Sequence, residues 1–309
     1  AGGTEASIES VKIPYLVLGA AFVLVAAFLK FSSVPNFIDL EGLARDEAVE
    51  ANKLVHKPSA FAYPQLVLGM VAIFVYVGVE VSTISNLPAY LEEDLGIPTS
   101  QLAPYVSLYW ASMMIGRWAG AAGAFTVGTS TRRMLTILLP YLAFGVYLAV
   151  NAIADHDVSR FFGYSLVILT MIAATFASGG NPARMLLYFA LCGITATLIG
   201  MATSGTASVV AFISVGLFCS VMWPCIFALA ITGLGRNTNQ GSSLLIMMIM
   251  GGGIISWLQG WLADLTSIHF SFIVGVACFA YLAFYALRAP VILRKQGIDL
   301  DQLASGSGH

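Results

Sequence analysis

Apolar residues in this chain come in long unbroken runs rather than in alternation. Nine such segments lie at about 13–31, 64–91, 102–128, 134–154, 161–178, 185–203, 207–234, 243–263 and 270–289. Most reach the ~20 residues that a helix needs to span a bilayer, and those at 161–178 and 185–203 are short. A strand of a membrane barrel would alternate apolar and polar positions over about 10 residues. Continuous runs predict helices instead, because a helix satisfies its backbone polar groups within the segment. The pattern predicts an all-α polytopic membrane protein with about nine transmembrane helices. Between the first two runs lies NFIDLEGLARDEAVEANKLVHKPS (36–59), the only long polar stretch inside the chain. It reads as a cytoplasmic linker with a short helix at about 40–55, of the kind that joins two domains.

Composition supports the same solvent. Hydrophobic residues are 58% of the 309 and charged residues only 10%. Soluble proteins average about 25% charged, so this chain has too little charge to cover a soluble surface. Charge placement then tests the span count. With the start outside and each run crossing once, the chain ends inside. Eleven of the fourteen Lys and Arg residues then fall inside, Lys12 and Arg160 fall outside, and Arg117 lies within a span. That bias is the one the positive-inside rule expects. Losing one span would reverse the side of every later loop, so the parity of nine is fixed by the charges. A multi-pass protein of the bacterial inner membrane with a cytoplasmic C-terminus is the expected placement.

The same inventory isolates Glu80. The fourteen residues before it, LVLGMVAIFVYVGV (66–79), are uncharged, and the next acidic residue is Glu92. A charge at the bilayer centre costs roughly 2.5–3.5 kcal/mol on insertion scales. A chain keeps such a group where it faces a cavity, a partner or a substrate path, or where it is protonated and bonded to a neighbouring helix. Tyr76 and Thr83 share its helical face. Asn86 lies about 120° away on an ideal helix, and Gly78 and Pro88 are positions where that helix can bend. Arg117, in YWASMMIGRWAGAAG (109–123), is the other deep charge, either snorkelling inward or latching to a carboxylate or to helix carbonyls. Pro224 removes a helical hydrogen bond beside Trp223. The run MMIMGGGIISWLQGWLAD (247–264) carries three consecutive glycines and Gln259. Interrupted helices of this kind build midplane sites in transporters; they also serve ordinary packing, as Gly116 and Gly120 do at small-xxx-small spacing. Tyr109 and Trp223 fit either role.

Other chemistry is set aside. The four cysteines (Cys192, Cys219, Cys225, Cys278) lie in apolar runs without zinc or CxxC spacing and read as small fillers. The histidines (His56, His156, His269, His309) are not paired at metal-ligand spacing. No phosphate loop occurs, so no metal, cofactor or ATP-driven cycle is expected. A net charge of −2 gives no reason to invoke nucleic acid. An integral membrane enzyme should cluster His, Asp or Cys on facing helices, and one deep Glu argues against it.

Five stretches together resemble a known family. VKIPYLVLGAAFVLVAAFLKFSSVPN (11–36), LVLGMVAIFVYVGVEVS (66–82), YVSLYWASMMIGRWAGA (105–121) and the two blocks from FCSVMWPCIFALAITGLG (218–235) to MGGGIISWLQGWLAD (250–264) occur in the order of the sixth, seventh, eighth, tenth and eleventh helices of fucose permease-like sugar:proton symporters, in the major facilitator superfamily. The resemblance covers most of the chain. It implies the last helix of an N-terminal half at 1–35, the linker at 36–60, and a C-terminal helical transport domain at 61–309. It also implies that the family's first five helices are absent, since the chain begins AGGTEASIES, without Met, just before the sixth. Where the family has six C-terminal helices, residues 64–289 hold eight. The extra pair falls within about 131–203, an insertion shared by glucose/galactose transporter-like members.

The implied function is secondary active transport of a monosaccharide of the fucose, glucose or galactose class, coupled to H⁺, by alternating access with the missing half as partner. The alternative is a truncated membrane protein acting as a sensor or subunit. Glu80 matches the Glu of the family's GAEVS helix, and Trp223 stands where the family has an aromatic, often Tyr, before the helix-ten proline. Glu80, Tyr76, Tyr109 and Trp223 are candidate sugar contacts, with Asn86 and Gln259 added on chemical grounds alone. Arg117 and Pro224 are candidate structural or gating residues.

Overall fold

The computed structural model describes residues 58–121 and 128–300, and ten helical positions within 16–28. The polar linker at 36–59 apart from Pro58 and Ser59, and the first apolar run apart from those ten positions, lie outside the described residues. All regular structure among the described residues is helical.

From residue 64 the chain crosses back and forth eight times. The crossings are α1 (Pro64–Glu93), α2 (Ala103–Ala121), α3 (Thr129–Ile153), α4 (Tyr164–Ser178), α5 (Pro182–Ala202), the broken pair α6 (Gly205–Cys219) and α7 (Met222–Ile231), the broken pair α8 (Thr238–Met247) and α9 (Gly251–Leu265), and α10 (Ile268–Ser271) leading into α11 (Ile273–Lys295). Seven of these are long and apolar enough to cross a membrane; α2, which carries Arg117, runs beside them as an eighth helix. The two short runs form full spans, Ser159–Ser178 and Pro182–Ala202. Local signals set their ends. Asn181 caps α5 by accepting from the backbone N–H groups of Ala183 and Arg184, and Pro182 sits at the first helical position. Gly179 closes α4 at φ 59°.

The Gly205–Ile231 span is the centre of the bundle, 83% buried over its apolar window against 28% for α3. It packs on α2 and α5, with α1 against α7, α9 and α11. The break between α6 and α7 comes at Ser220–Val221, one turn before Pro224. Pro224 has no N–H to offer the carbonyl four residues earlier, which is that of Ser220, so the helix opens there.

Close approach is built from small residues. A Cβ on Gly251 would run into the Phe74 carbonyl of α1, and one on Gly116 into the side chain of Ser220. Tyrosines then tie helix to helix: the half-buried Tyr281 donates to the Leu68 carbonyl (3.1 Å), the buried Tyr147 to that of Pro104 (3.0 Å), and the buried Tyr164 pairs with the Ser112 hydroxyl (2.8 Å). In an apolar medium these polar ties and small-residue contacts hold helices together where hydrophobic burial gives no preference.

Contacts sort the helix ends into two groups. At one end Gln65, fully buried, donates to the Thr232 carbonyl (3.2 Å) and exchanges hydrogen bonds with Gln296 (3.1 and 2.9 Å), while Gln240 accepts from the Ala60 N–H (3.4 Å). At the other end His269 meets the Gly200 carbonyl (2.8 Å) and approaches Asp94 (4.0 Å), and Tyr90 bonds Ser208 (2.7 Å). Residues 60–65, 232–240 and 296 thus share one end, and residues 90–94, 200–208 and 269 the other, as eight alternating crossings require.

Candidate functional site

Glu80 lies at the middle of α1, where the helix packs between α2 and the α6–α7 break. Its side chain is half-buried. Tyr76, one turn earlier and 2% exposed, brings its hydroxyl to the Glu80 carboxylate, as i, i+4 spacing permits. The Tyr76 ring meets Trp223 edge to face, with centroids 6.1 Å apart and planes at 63°. Trp223 is half-buried, at the start of α7. The helix break places it there, because an unbroken α6–α7 would carry the indole round with the regular helical turn.

Arg117 is exposed on α2 and acts on Glu80 and Tyr76 across space rather than through a direct ion pair. Pro224, also exposed, supplies the break.

The other named residues sit around this group with duties of their own. Tyr109 is fully buried on α2 and donates to the backbone carbonyl of Glu80 at 2.7 Å. Its ring packs against Gly216 of α6, so one side chain fixes α1, α2 and α6 at the level of the carboxylate. Thr83 is 2% exposed. Asn86 is buried and turns its amide back onto the Ser82 carbonyl (2.8 Å). Gln259 is fully buried on α9 and donates to Ser271 of α10 (3.4 Å), leaving its oxygen without a partner. No sequence signal pointed to Ser220, whose side chain fills the space left by Gly116 beside the helix break; only the contact reveals it.

Carboxylate, phenol and indole side by side make a specific chemical surface. The carboxylate accepts hydrogen bonds from hydroxyls, the phenol donates and accepts, and the indole offers a flat apolar face. No group of three or more His, Cys, Asp or Glu residues able to hold a metal occurs among the described residues.

Comparisons with known proteins agree with the fold. No protein-family model matches the chain. A glucose/galactose transporter of Brucella abortus biovar 1 (strain 9-941) is 32% identical over 285 residues, covering 92% of this chain and 54% of the relative. A putative glucose/galactose transporter of Helicobacter pylori (strain ATCC 700392 / 26695) is 27% identical, over 92% of this chain and 55% of the relative. The L-fucose-proton symporter of Escherichia coli (strain K12) is 25% identical, over 90% and 51%. Among solved structures, the major facilitator superfamily transporter FucP in its outward conformation superposes with a TM-score of 0.56 at 22% identity, over 91% of this chain and 55% of that one. The chain spans about half the length of the curated relatives it matches. It is a multi-pass helical protein with the fold of that transporter, and over that half-length it is similar to the glucose/galactose transporters and L-fucose-proton symporters.

Proposed function

We propose that the chain is the C-terminal half, with the preceding helix, of a proton-coupled monosaccharide transporter working by alternating access. Residues 61–309 form the transport domain, residues 1–35 the last helix of the other half, and residues 36–60 the cytoplasmic tether between them. The Tyr76–Glu80–Trp223 group is the wall this half presents to the sugar. The observation that carries the reading is Glu80, a half-buried carboxylate at mid-helix beside a phenol and an indole. A pyranose offers hydroxyls at its rim and C–H groups on its faces, and this group answers both. The relatives' names point to hexoses and L-fucose as the class to try first.

In this reading α7, set off by the break at Ser220–Val221, and α1, carrying Glu80, belong to one rigid half that rocks against the other about the midplane. Tyr109 keeps the Glu80 backbone fixed to α2 and α6 through that motion. Arg117 sets the local potential at the carboxylate. The test is uptake of labelled galactose, glucose and fucose by cells carrying the chain joined to its N-terminal half. Wild type should accumulate at least one of them, and Glu80→Ala should not, with both inserted to equal levels. Equal uptake by both would remove Glu80 from the sugar path.

A further inference from the structure

Two cavities open side by side where the ends of α1, α2, α4 and α6 meet. One, of about 310 Å³, is polar and includes Ser100, Gln101, Asp155, His156 and Asp157 in its wall. The other, of about 390 Å³, is walled mainly by Leu95, Ile97, Val209, Val210 and Ile213. Tyr105, Arg160 and Phe161 line both, so the two are compartments of one cleft with Arg160 at the divide. Its walls lie at or next to the ends of the spans Pro64–Glu93, Ser159–Ser178 and Gly205–Ile231. That is the level of lipid headgroups, where aromatic side chains such as Tyr105 also collect.

The cleft is graded in chemistry along its length. Arg160 is held through Nε to Asp157 (3.3 Å) and is met by the Tyr105 hydroxyl, and these partners use only part of its five N–H donors. The Ser159 hydroxyl, helped by its backbone N–H, holds the Asp157 carboxyl below the usual carboxylate range, so Asp157 is ionised at any physiological pH. Asp155 is exposed beside it. His156 has a buried Nδ1 with no hydrogen-bond partner. Past Arg160 the wall becomes aliphatic. A ligand that fills this cleft is cationic at one end, anionic in the middle and apolar at the other.

We infer that the cleft binds a phospholipid with an ethanolamine headgroup, its phosphate on Arg160, its ammonium among Asp155, His156 and Gln101, and an acyl chain in the compartment of Leu95, Ile97 and Val209. The acidic compartment disfavours a purely anionic head. A choline head carries the same charges but has no N–H to give to Asp155 or His156. A free sugar would leave both the aliphatic compartment and the Arg160 charge unused. The site stands apart from the Glu80 group and does not depend on the transport reading.

The test uses the purified chain in detergent, with retained lipid counted by native mass spectrometry and stability followed by thermal unfolding. The probes are ethanolamine, choline and glycerol phospholipids of identical acyl chains, soluble phosphoethanolamine, and galactose. The ethanolamine lipid should be retained about tenfold more than the other two, as one or two charge-assisted hydrogen bonds would give, and should raise the melting temperature. Phosphoethanolamine and galactose should not raise it. Arg160→Gln should reduce retention of all three lipids, since each carries the phosphate, while Asp155→Asn, an exposed change, should abolish the headgroup preference without altering the melting temperature of the lipid-free protein. Val209→Trp, which fills the aliphatic compartment, should reduce retention of all three lipids. Equal retention of the three lipids by wild type, undiminished retention in Arg160→Gln, undiminished preference in Asp155→Asn, or stabilisation by galactose in place of lipid would overturn the assignment.

Discussion

Glu80 shows how a carboxylate is kept in the middle of a spanning helix. Its side chain has a phenol one turn away and a guanidinium within electrostatic range, and its own backbone carbonyl is engaged by Tyr109 at 2.7 Å. Tyr109→Phe removes that donor while keeping the ring. It should cost about 1 kcal/mol in denaturant stability and leave sugar affinity within a factor of about two; a large loss of affinity at unchanged stability would make the hydroxyl a sugar contact instead. Trp223→Ala should weaken sugar binding roughly tenfold, the worth of an aromatic face against a ring, measured by calorimetry. Glu80 was legible in the sequence because nothing charged surrounds it. The duty of Tyr109 was not, since its partner is a backbone carbonyl 29 residues away, which no residue type advertises. Asn86 and Gln259 were legible as polar groups among apolar ones, but their partners, Ser82 and Ser271, come from the bundle.

At the scale of the elements, run length and continuity showed the helices, and Pro224 showed that one of them is broken. The position of the break was readable only through the missing hydrogen bond, which falls on the carbonyl of Ser220 four residues back. The three glycines at 251–253 looked equivalent in sequence and are not. A Cβ on Gly251 meets α1 backbone, one on Gly252 would lie 3.1 Å from Val77 and Val81, and one on Gly253 meets nothing within 4 Å. Gly251→Ala should therefore destabilise by about 1–3 kcal/mol, as overpacking does. Gly253→Ala should be neutral or stabilising by up to about 1 kcal/mol, because alanine is the better helix former. Thermal unfolding of the two variants in one detergent decides; similar losses would mean that the α1–α9 contact is not set by Gly251. Which glycine faces the neighbour depends on helix rotation, and three in a row hide that rotation from the sequence.

The whole molecule is ordered by two ends and a middle. Charge asymmetry alone predicted which loops share a side, and the contacts place residues 60–65 and 90–94 at opposite ends of the bundle. Cysteines introduced at Ser59 and Ser159, in a background lacking the native four, should label from opposite faces of sealed membranes; labelling of both from one face would contradict the alternation of spans. The central claim, that the middle of this bundle is a sugar-binding wall built on Glu80, is tested most directly by sugar binding from pH 5 to 8 in the protein carrying both halves, read from tryptophan fluorescence. Glu80→Gln keeps the size of the side chain and one acceptor but removes a titrating group and a charge-assisted hydrogen bond, worth about ten- to a hundredfold in affinity. Wild type should bind with a pH-dependent affinity, and Glu80→Gln should bind more weakly and without that dependence. Identical affinities and identical pH profiles for the two proteins would contradict the account.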